Sequence, residues 1–254
     1  GLIIKRVDPR EAVGPLHPDN TADMVRRLAI KAAGPAPDPG ADALRLHITG
    51  IGEALMPPQD TRQRRTGDAW LIVRQDPKDS TLSEPFSGSD MDLYLGSDMF
   101  IQTAHPRIQE LAREIVGRAE NPWGNAVRIH DWVYANIAKE SVLSVPSALT
   151  VLEVRKGDCN EHAVLFTALA RAAGIPTRIA IGLVWSPALA SFGYHAWPEV
   201  YVGRWMAMDP TFGERTAGPT HIKLFTGGID QWPRLMAYIG AIRLEILEDR
   251  QSPV

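Results

Sequence analysis

The sequence predicts an α+β protein: an apolar helix packed on an antiparallel sheet, preceded by a small β-rich N-terminal part. Three observations carry the prediction. A helix with clear start and stop signals opens at residue 159. Strand-like segments joined by short turns follow it directly, with no helix between them. The early chain shows alternating apolar and polar residues broken by Gly and Pro clusters rather than helical periodicity. At 254 residues and 44% hydrophobic, the chain is long enough for two domains.

The elements follow in order. Residues 21–33 suit a short helix after Asp19-Asn20, and Gly34-Pro35-Ala36-Pro37-Asp38-Pro39-Gly40 then forces a loop. Ala43 to Thr49 alternates as a strand, Pro57-Pro58 and Thr66-Gly67 mark turns, and Ala69 to Arg74 reads as a second strand. Ser80 to Ser97 lacks periodicity and is rich in Ser, Asp and Gly. The expected domains are therefore residues 1–96, β-rich, and residues 97–254. Pro106 to Val116 is a helix with Ile108, Leu111, Ala112 and Ile115 on one face and Pro106 in its first turn. A second helix is expected from about Ala126 to Lys139. His221 to Phe225 and Ile242 to Leu247 read as late strands.

The helix from Cys159 to Ala173 has Asp158 as N-cap and Glu161 three residues on, a capping-box pattern. Gly174 suits the left-handed residue after it, and Pro176 prevents resumption. Apolar along most of its length, the helix should be buried except at its N-terminal tip. That tip holds Cys159, the only cysteine. A lone cysteine is often a small buried hydrophobe, but unpaired N–H groups and the helix dipole also favour a thiolate at this position. Strands at Thr177 to Trp185, His195 to Val202 and Trp205 to Asp209 follow. A thiol needs a base, and an imidazole needs an acceptor that fixes its tautomer. Cys159, His195 and Asp209 are the three required types in order.

Four blocks here resemble the core of the transglutaminase-like superfamily of papain-like cysteine enzymes, bacterial type. They are Gly157-Asp158-Cys159, Arg171 to Arg178, His195-Ala196-Trp197 with Glu199-Val200-Tyr201, and Trp205 before Asp209-Pro210-Thr211. The resemblance implies Cys159 as nucleophile, His195 as general base and acid, and Asp209 as the residue orienting the imidazole. It implies acyl transfer on peptide or protein amides through a thioester, with hydrolysis (protease or amidase) favoured. Transglutaminase-type amine transfer is the alternative, and a binding or assembly module that keeps the fold without the chemistry is a second. Bacterial relatives often carry export signals, so the resemblance leans towards the cell envelope.

Strand register tests the set. A two-residue loop at Gly203-Arg204 would put His195 and Asp209 on opposite faces. A three-residue loop Val202-Gly203-Arg204, or a bulge near Pro198, would set Asp209 across from Trp197 and diagonal to His195. One of these irregularities is expected.

The remaining features take plainer readings. His162 could be drawn into a zinc set with Cys159 and His195, but no second cysteine or paired histidine motif supports it, and a cleft wall or packed helix position suits it better. His17, His47, His105, His130 and His221 are expected in surface or packing roles. The backbone N–H of Cys159 is one candidate oxyanion donor. In eukaryotic transglutaminases a tryptophan upstream of the cysteine contributes, yet Trp123 and Trp132 remain unassigned. No cofactor or metal is expected, since no EF-hand-like spacing is present. A net charge of −3 and the lack of long basic runs argue against nucleic acid as partner. No apolar run has the length of a membrane span and none reads as a signal peptide. A start at Gly1 suits a mature or trimmed form. One thiol is compatible with any redox compartment.

Overall fold

The structure is a computed structural model describing residues 26–77, 91–118, 121–140 and 147–248. It contains two four-stranded antiparallel sheets with helices packed on the second. The first sheet has strands β1 (Ala43–Thr49), β2 (Gln63–Thr66), β3 (Ala69–Val73) and β10 (Arg243–Ile246), in the order β10-β1-β3-β2. Leu44, Leu46 and Ile48 alternate inward along β1, and Leu244 and Ile246 do so on β10. The strand read at the end of the sequence thus joins the sheet formed by its beginning.

The second sheet has β6 (Thr177–Ser186), β7 (Ser191–Tyr201), β8 (Trp205–Ala207) and β9 (Ile222–Thr226), in the order β8-β7-β6-β9. Helix α5 (Cys159–Ala172) lies on β6 and β7 and is flanked by α2 (Pro106–Val116), α3 (Pro122–Asn136) and α4 (Ala148–Val154). Every side chain of α5 from Glu161 to Ala170 is buried. Its end is a Schellman motif: Ile175 N donates to Ala170 O and Gly174 N to Arg171 O, with Gly174 at φ 77°. A short helix α1 (Met91–Leu95) precedes this layer.

Two expectations change. The helix placed at 126–139 starts earlier, because Asn121 caps Gly124 N, and it ends at Asn136; the two-residue strand β4 (Ala138–Lys139) instead pairs in parallel with β5 (Lys156–Gly157). Of the helix placed at 21–33, residues 26–28 are helical and 21–25 lie outside the described residues. From Ile30 the chain is extended, because Ile30 pairs with Phe192 and Ala33 with the β10 strand. The segment read as a domain boundary, 80–97, lies mostly outside the described residues.

The facing edges of the two sheets, β2 and β9, are joined by side chains rather than by a ladder. The Gln63 amide donates to Lys223 O (2.8 Å) and accepts from Lys223 N (3.0 Å), occupying the backbone groups a neighbouring strand would take. Beside it Lys223 Nζ pairs with Glu199 (2.7 Å) and with Asp60, and Glu199 also holds Arg178 (2.7 Å). Burial makes an unpaired charge here costly, and each of these charges has a partner.

Candidate active site

The N-terminus of α5 is built as its sequence predicts. Asp158 accepts from Asn160 N (2.9 Å), and Glu161 accepts from Asp158 N (2.9 Å), completing the capping box. Gly157 is required here, since a Cβ would sit 2.2 Å from the Cβ of Glu161. Burial, together with the adjacent Asp158 carboxylate, pushes the Glu161 carboxyl up to about 7. Cys159 occupies the first helical position and is partly exposed, while the helix behind it is buried.

The β7–β8 hairpin sets the other side. Pairing of Tyr201 with Trp205 and Glu199 with Ala207 leaves Val202-Gly203-Arg204 as a three-residue loop, with Gly203 at φ 85°. Met208 N donates to Pro198 O (3.0 Å), continuing the register, so Asp209 falls across from Trp197 and diagonal to His195. The irregularity is the odd loop and not a bulge, since β6 and β7 pair without a break from Thr177–Val200 to Ser186–Ser191. Pro198 sits one residue beyond the β8 pairing, where its carbonyl accepts from Met208 N and its ring nitrogen donates nothing.

His195 Nε2 donates to Asp209 Oδ2 at 2.7 Å, which leaves Nδ1 for the Cys159 thiol, a group near enough to act on the charge of the imidazole. Burial alone would lower the His195 pKa. The charges and hydrogen bonds of Asp209 and Cys159 outweigh it and raise it to about 10. Burial likewise opposes ionisation of Asp209, yet His195 and His221 hold it well below the usual carboxylate range. Phe212 covers the His195 ring face to face, with centroids 4.7 Å apart and planes 4° from parallel.

Asp209 has four donors. Oδ1 accepts from Thr211 N (2.8 Å) and Phe212 N (3.2 Å), while Oδ2 accepts from His195 and from His221 Nε2 (2.9 Å). His221 is fully buried, and the packing role expected for it is incomplete: it directly contacts the carboxylate. His130 Nε2 also reaches the site, donating to the backbone oxygen of Asp209 (3.1 Å). Neither contact is readable from sequence spacing, because each depends on how a distant segment folds back. His162 is buried, with Nδ1 donating to Asp158 O (2.7 Å), and is a packed wall of the helix tip. His105 caps α2, His47 sits at the surface beside Asp68 and Glu245, and His17 lies outside the described residues. Trp132 packs beneath the Arg155 guanidinium, 4.7 Å from its ring.

Donor atoms of His195, Asp209 and His221 lie within 4.8 Å of one another, which is spacing a metal could use. Both imidazoles already aim Nε2 at one carboxylate oxygen at hydrogen-bond length, so protons alone account for the arrangement. Beside Cys159 runs a crease lined by Asn160, Val164, Ile179, Ile181, Ala196 and Gly228, which continues past Val164 and Ile179 towards Met99 and Phe100. Its walls are mostly apolar along the whole length.

Residues 109–210 match the model of the Transglutaminase-like superfamily. An uncharacterized protein of Haemophilus influenzae is 37% identical over 100 residues, which make up 37% of this chain and 27% of that protein, so the match spans about a quarter of the relative's length. A crystal structure of a candidate cysteine protease from Cytophaga hutchinsonii superposes with a TM-score of 0.55 at 18% identity, covering 89% of each chain. The periplasmic domain of TgpA from Pseudomonas aeruginosa aligns over 73% of each chain, at 20% identity and a TM-score of 0.42. The Cytophaga structure shares the fold. Among the described residues no helix is long and apolar enough to cross a membrane.

Proposed function

We propose that this chain, whose residues 109–210 carry a transglutaminase-like core, is a cysteine-dependent acyl-transfer enzyme that hydrolyses peptide or protein amides. One observation supports this above the rest: Cys159 and Asp209 engage the same buried imidazole, His195. The Cys159 thiolate adds to the amide carbonyl carbon, and the negative charge on oxygen lies near the Cys159 N–H at the helix start. As the C–N bond breaks, His195 Nδ1–H gives its proton to the departing amine. Water then adds to the thioester, His195 takes its proton, and the carboxylic acid leaves as the thiolate re-forms. Asp209 stays anionic throughout and stabilises the imidazolium. Cys159 is partly open to solvent, which gives water access to the thioester and favours hydrolysis over amine transfer.

The test is alkylation of the single thiol by iodoacetamide from pH 4 to pH 9, followed by intact mass, together with mass analysis of a peptide mixture incubated with the protein. The reading expects fast alkylation persisting below pH 7, loss of that behaviour in His195→Ala, and new peptide termini or deamidated residues that vanish in Cys159→Ala. Incorporation of an added primary amine would instead mark a transamidase. A slow thiol indifferent to His195 would mark a binding module.

A further inference from the structure

We propose that His221 is a positioning residue for the Asp209 carboxylate, and that Arg62, from the first sheet, holds His221 in register for that task. This rests on the reading of Cys159, His195 and Asp209 as the reacting set. An ionised carboxylate offers about four acceptor sites. Here all four are taken, by two backbone amides on Oδ1 and two imidazoles on Oδ2. With Oδ1 fixed by its own loop, the direction of Oδ2 towards His195 depends on what else holds Oδ2. His221 is that group.

The protonation of His221 follows from its partners. A carboxylate only accepts, so Nε2 carries the proton. Nδ1 is buried with no hydrogen-bond partner among the described residues, so a second proton there would be a buried, unmatched donor. The ring is therefore neutral, in agreement with burial lowering its pKa against the pull of Asp209 and Glu214 and alongside repulsion from His195. Its orientation is fixed by packing: Trp197 meets it edge-on at 5.1 Å, and Phe212 lies at 6.4 Å. Gly182 lets this strand approach, since a Cβ there would sit 2.0 Å from the backbone oxygen of Ile222.

The backbone of His221 is clamped from the first sheet. Its N–H donates to Gly218 O (3.2 Å), closing a turn, and Arg62 spans that turn with Nη1 on His221 O and Nη2 on Gly218 O, both at 2.6 Å. Arg62 is only 2% exposed. A buried guanidinium fork fixes direction as well as distance, which a lysine at the same place would not do. Asp60, Glu199 and Glu214 supply the negative charge around it.

The experiment measures the pH profile of Cys159 alkylation in wild type, His195→Ala, His221→Phe, His221→Gln and Arg62→Lys. Phe keeps the ring but not the donor; Gln restores an N–H near the Nε2 position. The expected result is an acid limb moved up by about one pH unit in His221→Phe, largely restored in His221→Gln, and moved less in Arg62→Lys. A role in packing alone would lower melting temperature without moving the limb. An unmoved limb in folded His221→Phe overturns this inference while leaving the catalytic reading intact. A wild-type profile that His195→Ala leaves unchanged overturns both. Nitrogen-15 histidine spectra of wild-type protein decide the matter if His221→Phe does not fold. His221 should be neutral with its proton on Nε2 at pH 7, and a charged ring or a proton on Nδ1 overturns the inference.

Discussion

The two four-stranded sheets differ in how the chain assembles them. In the second, β6, β7 and β8 are consecutive and joined by the short turns 187–190 and 202–204. In the first, β1 lies between β3 and β10, and His47 on β1 meets Glu245 from 198 positions away. The proposed reacting groups all come from the locally built block, residues 159–209. The groups that brace its far side, Arg62 and Gln63, come from about 160 residues away. Chemistry is encoded locally here, and its support at long range. Local contacts cost little loop-closure entropy, so the α5–β6–β7–β8 block can order before the first sheet closes around β10.

The largest expected effect separates the two regions outright. Cys159→Ala removes the proposed nucleophile and should reduce turnover to background, while the melting temperature shifts by only the equivalent of about 1 kcal/mol or less, since the side chain is partly exposed. Leu46→Ala does the reverse. Leu46 is fully buried in the middle of the first sheet, and its truncation should cost roughly 2–5 kcal/mol. At temperatures where Leu46→Ala remains folded, Cys159 should alkylate with the wild-type pH profile. A displaced profile would mean that the sheets are not separable in this way, and that the first one shapes the site through more than Arg62.

A smaller effect comes from His195, whose folded pKa is raised from 6.5 to about 10. A raised pKa means that the folded state binds its proton more tightly. The resulting stability is fully present below pH 6.5 and lost as pH rises towards 10. Melting temperatures recorded from pH 6 to pH 10 should therefore fall in wild type and flatten in His195→Ala. Equal slopes would sink the thiolate–imidazolium–carboxylate arrangement, whatever the activity data showed.

How much of this was legible in the sequence follows the same division. The capping box at Asp158 and Glu161, the Schellman end at Gly174 and the hairpin parity that brings Asp209 to His195 are local, and each can be argued from residues less than about 15 positions apart. A strand over His221 to Phe225 was also legible, and β9 is found at Ile222–Thr226. What His221 does was not, because its partner depends on the path of residues 210–220, which carry no regular period. By composition alone, Arg62-Gln63-Arg64-Arg65 reads as a short, solvated basic turn. Arg64 and Arg65 are indeed exposed, whereas Arg62 and Gln63 are buried. Only the approach of a second sheet edge makes that difference. The helix expected at 21–33 stops at residue 28 for a related reason: Ile30 and Ala33 are captured by strands 160 and more positions downstream.

The smallest effect tests the local block alone. Glu161 is buried, and its carboxyl is pushed up to about 7 by burial and by Asp158. Because the folded pKa lies above the ordinary 4.5, the folded state binds a proton that the unfolded chain has already released, so stability falls as pH rises from 4.5 through about 7. Glu161→Gln keeps a residue able to complete the capping box and removes the titration. The variant should show a flatter melting profile across that window and be more stable than wild type at pH 8 by on the order of 1 kcal/mol. Parallel wild-type and variant curves would show that Glu161 titrates normally and that the helix tip is better hydrated than its burial implies. The environment of Cys159, two residues away, would then be more open to water as well.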